Sequence, residues 1–126
     1  MTLTVVLPLP HSDLWPNRHV YWRRRSDAAK SLRAAAGYAA LHAINEAGIK
    51  RPRWKRASAK CRYYFREKRK RDGDGALSAA KAAFDGFTDA KIWLDDSGVT
   101  HLPVEMHVDA ADPRLEIDVM EIDDAT

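Results

Sequence analysis

The chain has 126 residues, a net charge of +3 and 45% hydrophobic residues, enough for one core and too apolar for a disordered chain. Its lone cysteine, Cys61, excludes an internal disulfide, no Cys/His pair has zinc-ligand spacing, and a reducing cytosol fits both facts. The opening MTLTVVLPLP has too short an apolar run and no basic flank, so a signal peptide and a membrane span are not expected there.

Residues 2–7 (TLTVVL) are β-branched and apolar and predict a short strand, ended by Pro8 and Pro10. A loop then carries Trp15, Tyr21 and Trp22 among Arg18, Arg23, Arg24 and Arg25. Such aromatics can stack on bases or tuck onto the core, and residue types leave both open. Ser26-Asp27 reads as a helix cap and Gly48 as its stop, with Leu32, Ala35, Ala39 and Ala43 on one stripe. Between Ser58 and Glu67, Cys61, Tyr63 and Phe65 alternate with Lys60, Arg62, Tyr64 and Arg66. That period of two predicts a half-buried strand with a cationic outer face, Cys61 being a small core residue. Val99–Val108 predicts a further strand, with an edge or bulge at Pro103, and Leu115, Ile117 and Val119 mark the last. The whole reads as a single α+β domain over residues 1–126. Its order is β-α-β-α-β-β, with a mixed four-stranded sheet, two main helices on one face, and a core small enough to favour a dimer.

Charge is distributed unevenly along this order. Residues 50–71 hold 12 basic groups against Glu67 alone, whereas residues 72–126 hold 3 basic groups against 14 acidic ones. The basic section points to a polyanion such as nucleic acid; a solvated charged strand face is the alternative. Where the sign changes stand Asp72-Gly73-Asp74, two carboxylates two residues apart, which share a side if the strand continues through them. A helix follows, with Leu77, Ala80, Phe84 and Phe87 as its core face and Lys81 two turns beyond Asp74. Asp95-Asp96 comes after it. Three carboxylates suit a hard cation such as Mg²⁺, with Mn²⁺ as a substitute, and a lysine beside them suits charge developing on a phosphodiester. Both acidic pairs also read as simple turns.

The block Lys70-Arg71-Asp72-Gly73-Asp74, Leu77, Lys81-Ala82-Ala83-Phe84-Asp85-Gly86 and Trp93-Leu94-Asp95-Asp96 resembles the RusA-like Holliday junction resolvases, small metal-dependent endodeoxyribonucleases. Leu7-Pro8-Leu9-Pro10, Ser12 and Asn17 resemble the family's proline-rich opening. The resemblance implies that Asp72, Asp74 and Asp96 are catalytic carboxylates that bind the metal, with Asp95 the lesser member of its pair, and that Lys81 is the catalytic lysine. It implies DNA contacts by Arg71 and its neighbours Arg66, Lys68, Arg69 and Lys70, to which Asn17 and Arg18 of the opening loop are added. It further implies a homodimer that resolves four-way junctions by paired phosphodiester hydrolysis in DNA recombination and repair, in a bacterial or phage-encoded cytoplasmic setting. Two departures stand out. Gly75 occupies the position where the family usually has asparagine, and Leu14-Trp15-Pro16 lengthens the opening. A non-catalytic DNA-binding module that keeps the fold is the competing expectation.

Overall fold

The computed structural model describes residues 1–16 and 18–123. In chain order the elements are β1 (Thr2–Leu7), α1 (Trp22–Glu46), β2 (Ala57–Phe65), α2 (Gly73–Ala79), α3 (Lys81–Asp89), β3 (Val99–His101), β4 (Glu105–Val108) and β5 (Arg114–Glu121). β5 lies between β1 and β2 and is antiparallel to both, while β3 and β4 follow one another along the free edge of β2, parallel to it. The sheet is mixed, as expected, but it has five strands rather than four. The edge strand expected over 99–108 is broken in two at Pro103, which has no N–H to give to the ladder.

Alternation decides which face is covered. Leu3, Val5 and Leu7 on β1, Cys61, Tyr63 and Phe65 on β2, and Leu115, Ile117 and Val119 on β5 are all buried on the helix side. Cys61 is the small core residue its spacing predicted, and burial pushes its thiol up to about 12. Phe87, Ile92 and Trp93 complete the core. Full burial of a side chain such as Phe87 or Ile92 contributes about 1.5–3 kcal/mol. The Trp93 indole N–H is satisfied by Thr88 Oγ1 at 2.7 Å, so its polar atom carries no burial penalty.

The outer face differs from its expectation. β2 presents Lys60 and Arg62 there, but β5, drawn from the acidic third of the chain, lies directly alongside. Arg62 makes a two-pronged pair with Asp118 at 2.7 and 2.9 Å and reaches Glu116 at 3.3 Å, and Lys60 pairs with Glu105. Arg114 lies over the Tyr64 ring and pairs with Glu116 and Asp109. This face is therefore a lattice of alternating charge, not a cationic surface.

The lattice predicts a pH dependence. Burial would raise the Asp118 carboxyl, but hydrogen bonds from Arg62 and Thr4, with the charges of Arg62 and Lys60, outweigh it and hold the group below the usual carboxylate range. Hydrogen bonds from Arg114 lower Asp109, and those from Lys60 and His107 lower Glu105. A carboxyl whose folded pKa lies below its unfolded value stabilises the fold above the unfolded pKa, about 4, and loses that contribution as pH falls through the folded value. Thermal unfolding is thus expected at a constant temperature above about pH 5 and at falling temperatures below about pH 4. Asp118→Asn should shallow the acid limb; an unchanged limb would remove Asp118 from the cause.

α1 begins at Trp22, four residues before the expected Ser26-Asp27 cap, with Tyr21 as its cap residue and no side-chain bond. Trp22 and three arginines continue a helix readily, and Arg24 and Arg25 donate their backbone N–H groups to the Tyr21 carbonyl. The stop is as expected. Gly48 takes a φ of +68°, its N–H donates to the Asn45 carbonyl and that of Ile49 to the Ile44 carbonyl, a closure that satisfies two end carbonyls. The buried stripe is Leu32, Ala36 and Ala40, rotated by one residue from the predicted one, with Ala35, Ala39 and Ala43 half-buried beside it. The second predicted helix is two short ones, α2 and α3, which meet at Ala80. No helix among the described residues is long and apolar enough to cross a membrane.

Candidate functional site

β2 ends at Phe65, so residues 66–72 are a loop and not a continuing strand. Arg71 turns back within it. Its guanidinium lies 3.7 Å from the centre of the Phe65 ring and donates to the Glu67 carbonyl at 3.3 Å. Asp72 then caps α2, its Oδ1 accepting from the Asp74 N–H and its Oδ2 from the Gly75 N–H, each at 3.2 Å. Asp-Gly-Asp-Gly is therefore a helix start: Asp72 is the cap and Asp74 the acidic residue of the first turn. The two carboxylates are separated by helix geometry, not aligned by strand alternation.

That first turn divides two cavities. On one side, a cavity of about 350 Å³ is lined by Asp74, Leu77, Ser78, Lys81, Phe84 and His101. The helix break at Ala80 makes Lys81 the first residue of α3, yet it opens onto the same space as Asp74. The His101 ring lies tilted against Phe84, with centroids 4.5 Å apart; burial lowers its pKa and the charge of Asp96 offsets part of that. Asp96 does not line this cavity and adjoins it through His101. Asp95 is engaged with its own turn, accepting from Ser97 Oγ at 2.8 Å and sharing a side-chain hydrogen bond with Asp96.

On the other side is a cleft of about 430 Å³ between the opening loop and the 66–72 loop. Arg18, Arg69, Lys70 and Arg71 line it with Asp72, and its apolar surface comes from Leu9, Pro10, Trp15, Tyr63 and Phe65. Arg66 and Lys68 are exposed on the same loop and do not line the cleft. Asn17 lies outside the described residues. The opening loop is anchored by Asp13, whose side chain is only 4% exposed and is met by Arg24 at 3.2 Å, Arg18 at 3.4 Å and His11 at 3.4 Å. A buried carboxylate needs such partners, and the loop is held where they converge.

Gly75 packs between Asp72 and Trp15. It is buried, and a Cβ at that position would sit 3.5 Å from Asp72 Oδ2 and 3.6 Å from Trp15 Cε3. Both are ordinary van der Waals distances, so a methyl group fits between the Asp72 cap and the Trp15 ring.

The donor set is oxygen-only and suits a hard cation. Among the described residues no group of three or more His, Cys, Asp or Glu side chains is gathered closely enough to hold a metal ion. Asp72 and Asp74 remain a neighbouring pair, and Mg²⁺ is commonly held by one or two carboxylates together with substrate phosphate and water. Asp13 and His101 were not singled out from the sequence: Asp13 gathers His11, Arg18 and Arg24 from its own loop and the start of α1, and His101 meets Phe84 across the fold.

No protein-family model matches the chain. It is similar to a Xylella fastidiosa (strain Temecula1 / ATCC 700964) protein described as "Uncharacterized protein", with 34% identity over 108 residues, 83% of this chain and 68% of that one.

Proposed function

We propose, for a chain that belongs to the same family as that Xylella fastidiosa protein, an activity of Mg²⁺-dependent, structure-selective endodeoxyribonuclease that resolves four-way DNA junctions. The observation that carries it is the first turn of α2. Asp72 opens onto a cleft lined by four cations, while Asp74 and Lys81 share the cavity on the other side. A DNA backbone drawn to Arg18, Arg69, Lys70 and Arg71 meets a carboxylate pair and a lysine at one edge of the domain.

The residues divide the work. Asp72, held by two N–H groups, and Asp74, at an exposed position, offer oxygen to Mg²⁺, with Asp96 as a further carboxylate beyond His101. When bound, the ion supplies Lewis-acid polarisation of the phosphodiester and a lowered pKa for water. The Lys81 ammonium is a counter-charge for the phosphate oxygens. A two-fold homodimer would set two such edges against a substrate of matching symmetry and cut opposing strands, in a cytoplasmic, bacterial or phage-encoded setting.

The test is incubation of the purified protein with a synthetic four-way junction, in Mg²⁺ and in EDTA. Paired incisions that need the metal are expected. Binding without incision would overturn the activity in favour of a DNA-binding module, a reading that the scattered carboxylates favour.

A further inference from the structure

We infer that the cleft between the opening loop and the 66–72 loop receives one unpaired deoxynucleotide of a DNA branch, its base against Trp15 and its phosphate on Lys70 and Arg71. The inference rests on the proposed DNA substrate and adds to it a subsite and a residue that reads strand structure.

The cleft has the size and chemistry for this occupant. Its volume of about 430 Å³ falls among small-ligand sites and is far too small for a duplex. Its aromatic surface is graded. Tyr63 is fully buried and Phe65 is 6% exposed and covered by Arg71, so Trp15, half-buried, is the ring left to meet a base. Trp15 packs at a tilt against Tyr63 at 6.0 Å and Phe65 at 6.4 Å, with its Cε3 edge over Gly75. A ring fixed in this way loses little freedom when a base stacks on it.

The cations are undercompensated. Arg18 shares Asp13, and Arg69 lies 3.9 Å from Glu67, whereas among the described residues no carboxylate pairs with Lys70 or Arg71. Burial first, and then the neighbouring charge of Arg69, push the Arg71 pKa down, with the charge of Glu67 offsetting part of it, so Arg71 is crowded by Arg69. A phosphate relieves that crowding. Apolar ring and cations together select a nucleotide over a free anion or an apolar ligand. An unpaired nucleotide is required because a base within a duplex shows no open face, and a branch point supplies one at the least unstacking cost. Asp72 lines the same cleft, so the nucleotide seated there lies beside that carboxylate.

The test uses four-way junctions with 2-aminopurine at the branch point, in EDTA so that nothing is cut. Wild type is expected to quench the fluorescence by stacking and to bind branched DNA more tightly than uninterrupted duplex. Trp15→Ala should abolish the quench and weaken branched-DNA binding about ten- to a hundredfold, with duplex binding nearly unchanged, whereas Trp15→Phe keeps the quench. Lys70→Gln, at an exposed position, tests the phosphate half independently of packing at Trp15, and should lower the salt slope of branched-DNA binding by about one. An undiminished quench in Trp15→Ala, or an equal loss on branched and duplex DNA, overturns the inference. Quenching without Mg²⁺-dependent cutting leaves the subsite standing and removes the hydrolase; cutting with a Trp15-independent quench does the reverse.

Discussion

Asp74→Asn is expected to lower Mg²⁺-dependent junction cleavage roughly a thousandfold, about 4 kcal/mol of transition-state stabilisation, while junction binding in EDTA persists. The substitution keeps the size of the side chain and removes its charge. The backbone N–H of residue 74 still donates to Asp72 Oδ1, so the cap that shapes the turn survives. Loss of an acidic group from the first turn costs about 0.3–1 kcal/mol through the helix dipole, too little to unfold the domain. An activity loss without a folding loss therefore reports on chemistry. Cleavage kinetics beside a melting curve separate the two, and a variant that cuts at the wild-type rate would take Asp74 out of the site.

Gly86→Ala should act on the fold instead, at a cost of about 3 kcal/mol or more. α1 and α3 cross there with no room for a methyl group: a Cβ on Gly86 would lie 2.4 Å from the Arg33 carbonyl oxygen and 2.9 Å from both Ala36 Cβ and Gly37 N. Two of those three atoms belong to the α1 backbone, so no side chain can rotate away. The helices must separate, and with them the face that covers Val5, Cys61 and Ile117. In a domain of this size each kcal/mol moves the midpoint by about 4 °C, so a drop of about 10 °C or more is expected by circular dichroism. A shift of only a degree or two would show that the crossing relaxes freely. Because α3 begins at Lys81, a partly folded variant should also lose Lys81-dependent cleavage.

The candidate site was only partly legible in the sequence, and the reasons are specific. Asp72, Asp74 and Lys81 lie within ten residues of one another, and their spacing along a helical pattern is local information. Asp74 and Lys81 do border one cavity. The route was nevertheless different: Asp72 is a cap rather than a strand residue, and the helix is broken at Ala80. Asp13 and Asp96 meet partners nearby in the chain but at spacings that no helix or strand period encodes, and His101 meets Phe84 only through the fold. Gly75 had no explanation in one dimension, because its neighbour Trp15 is sixty residues away.

The basic run had the same limit. Counting charge along the chain found the cations but not their partners, and β5 answers Arg62 with Asp118 and Glu116. The loop cations Arg69, Lys70 and Arg71, with Arg18, line the cleft where a polyanion can reach them. What the sequence by itself determined is what short-range physics controls: the alternation of β1, β2 and β5, the glycine stop of α1, the burial of Cys61 and the acidic start of α2. Tertiary structure alone decided the strand order, the neutralised outer face and the cleft beneath Trp15. Each of those depends on which distant segment packs alongside, and side-chain charge and volume are answered there in space, not along the chain.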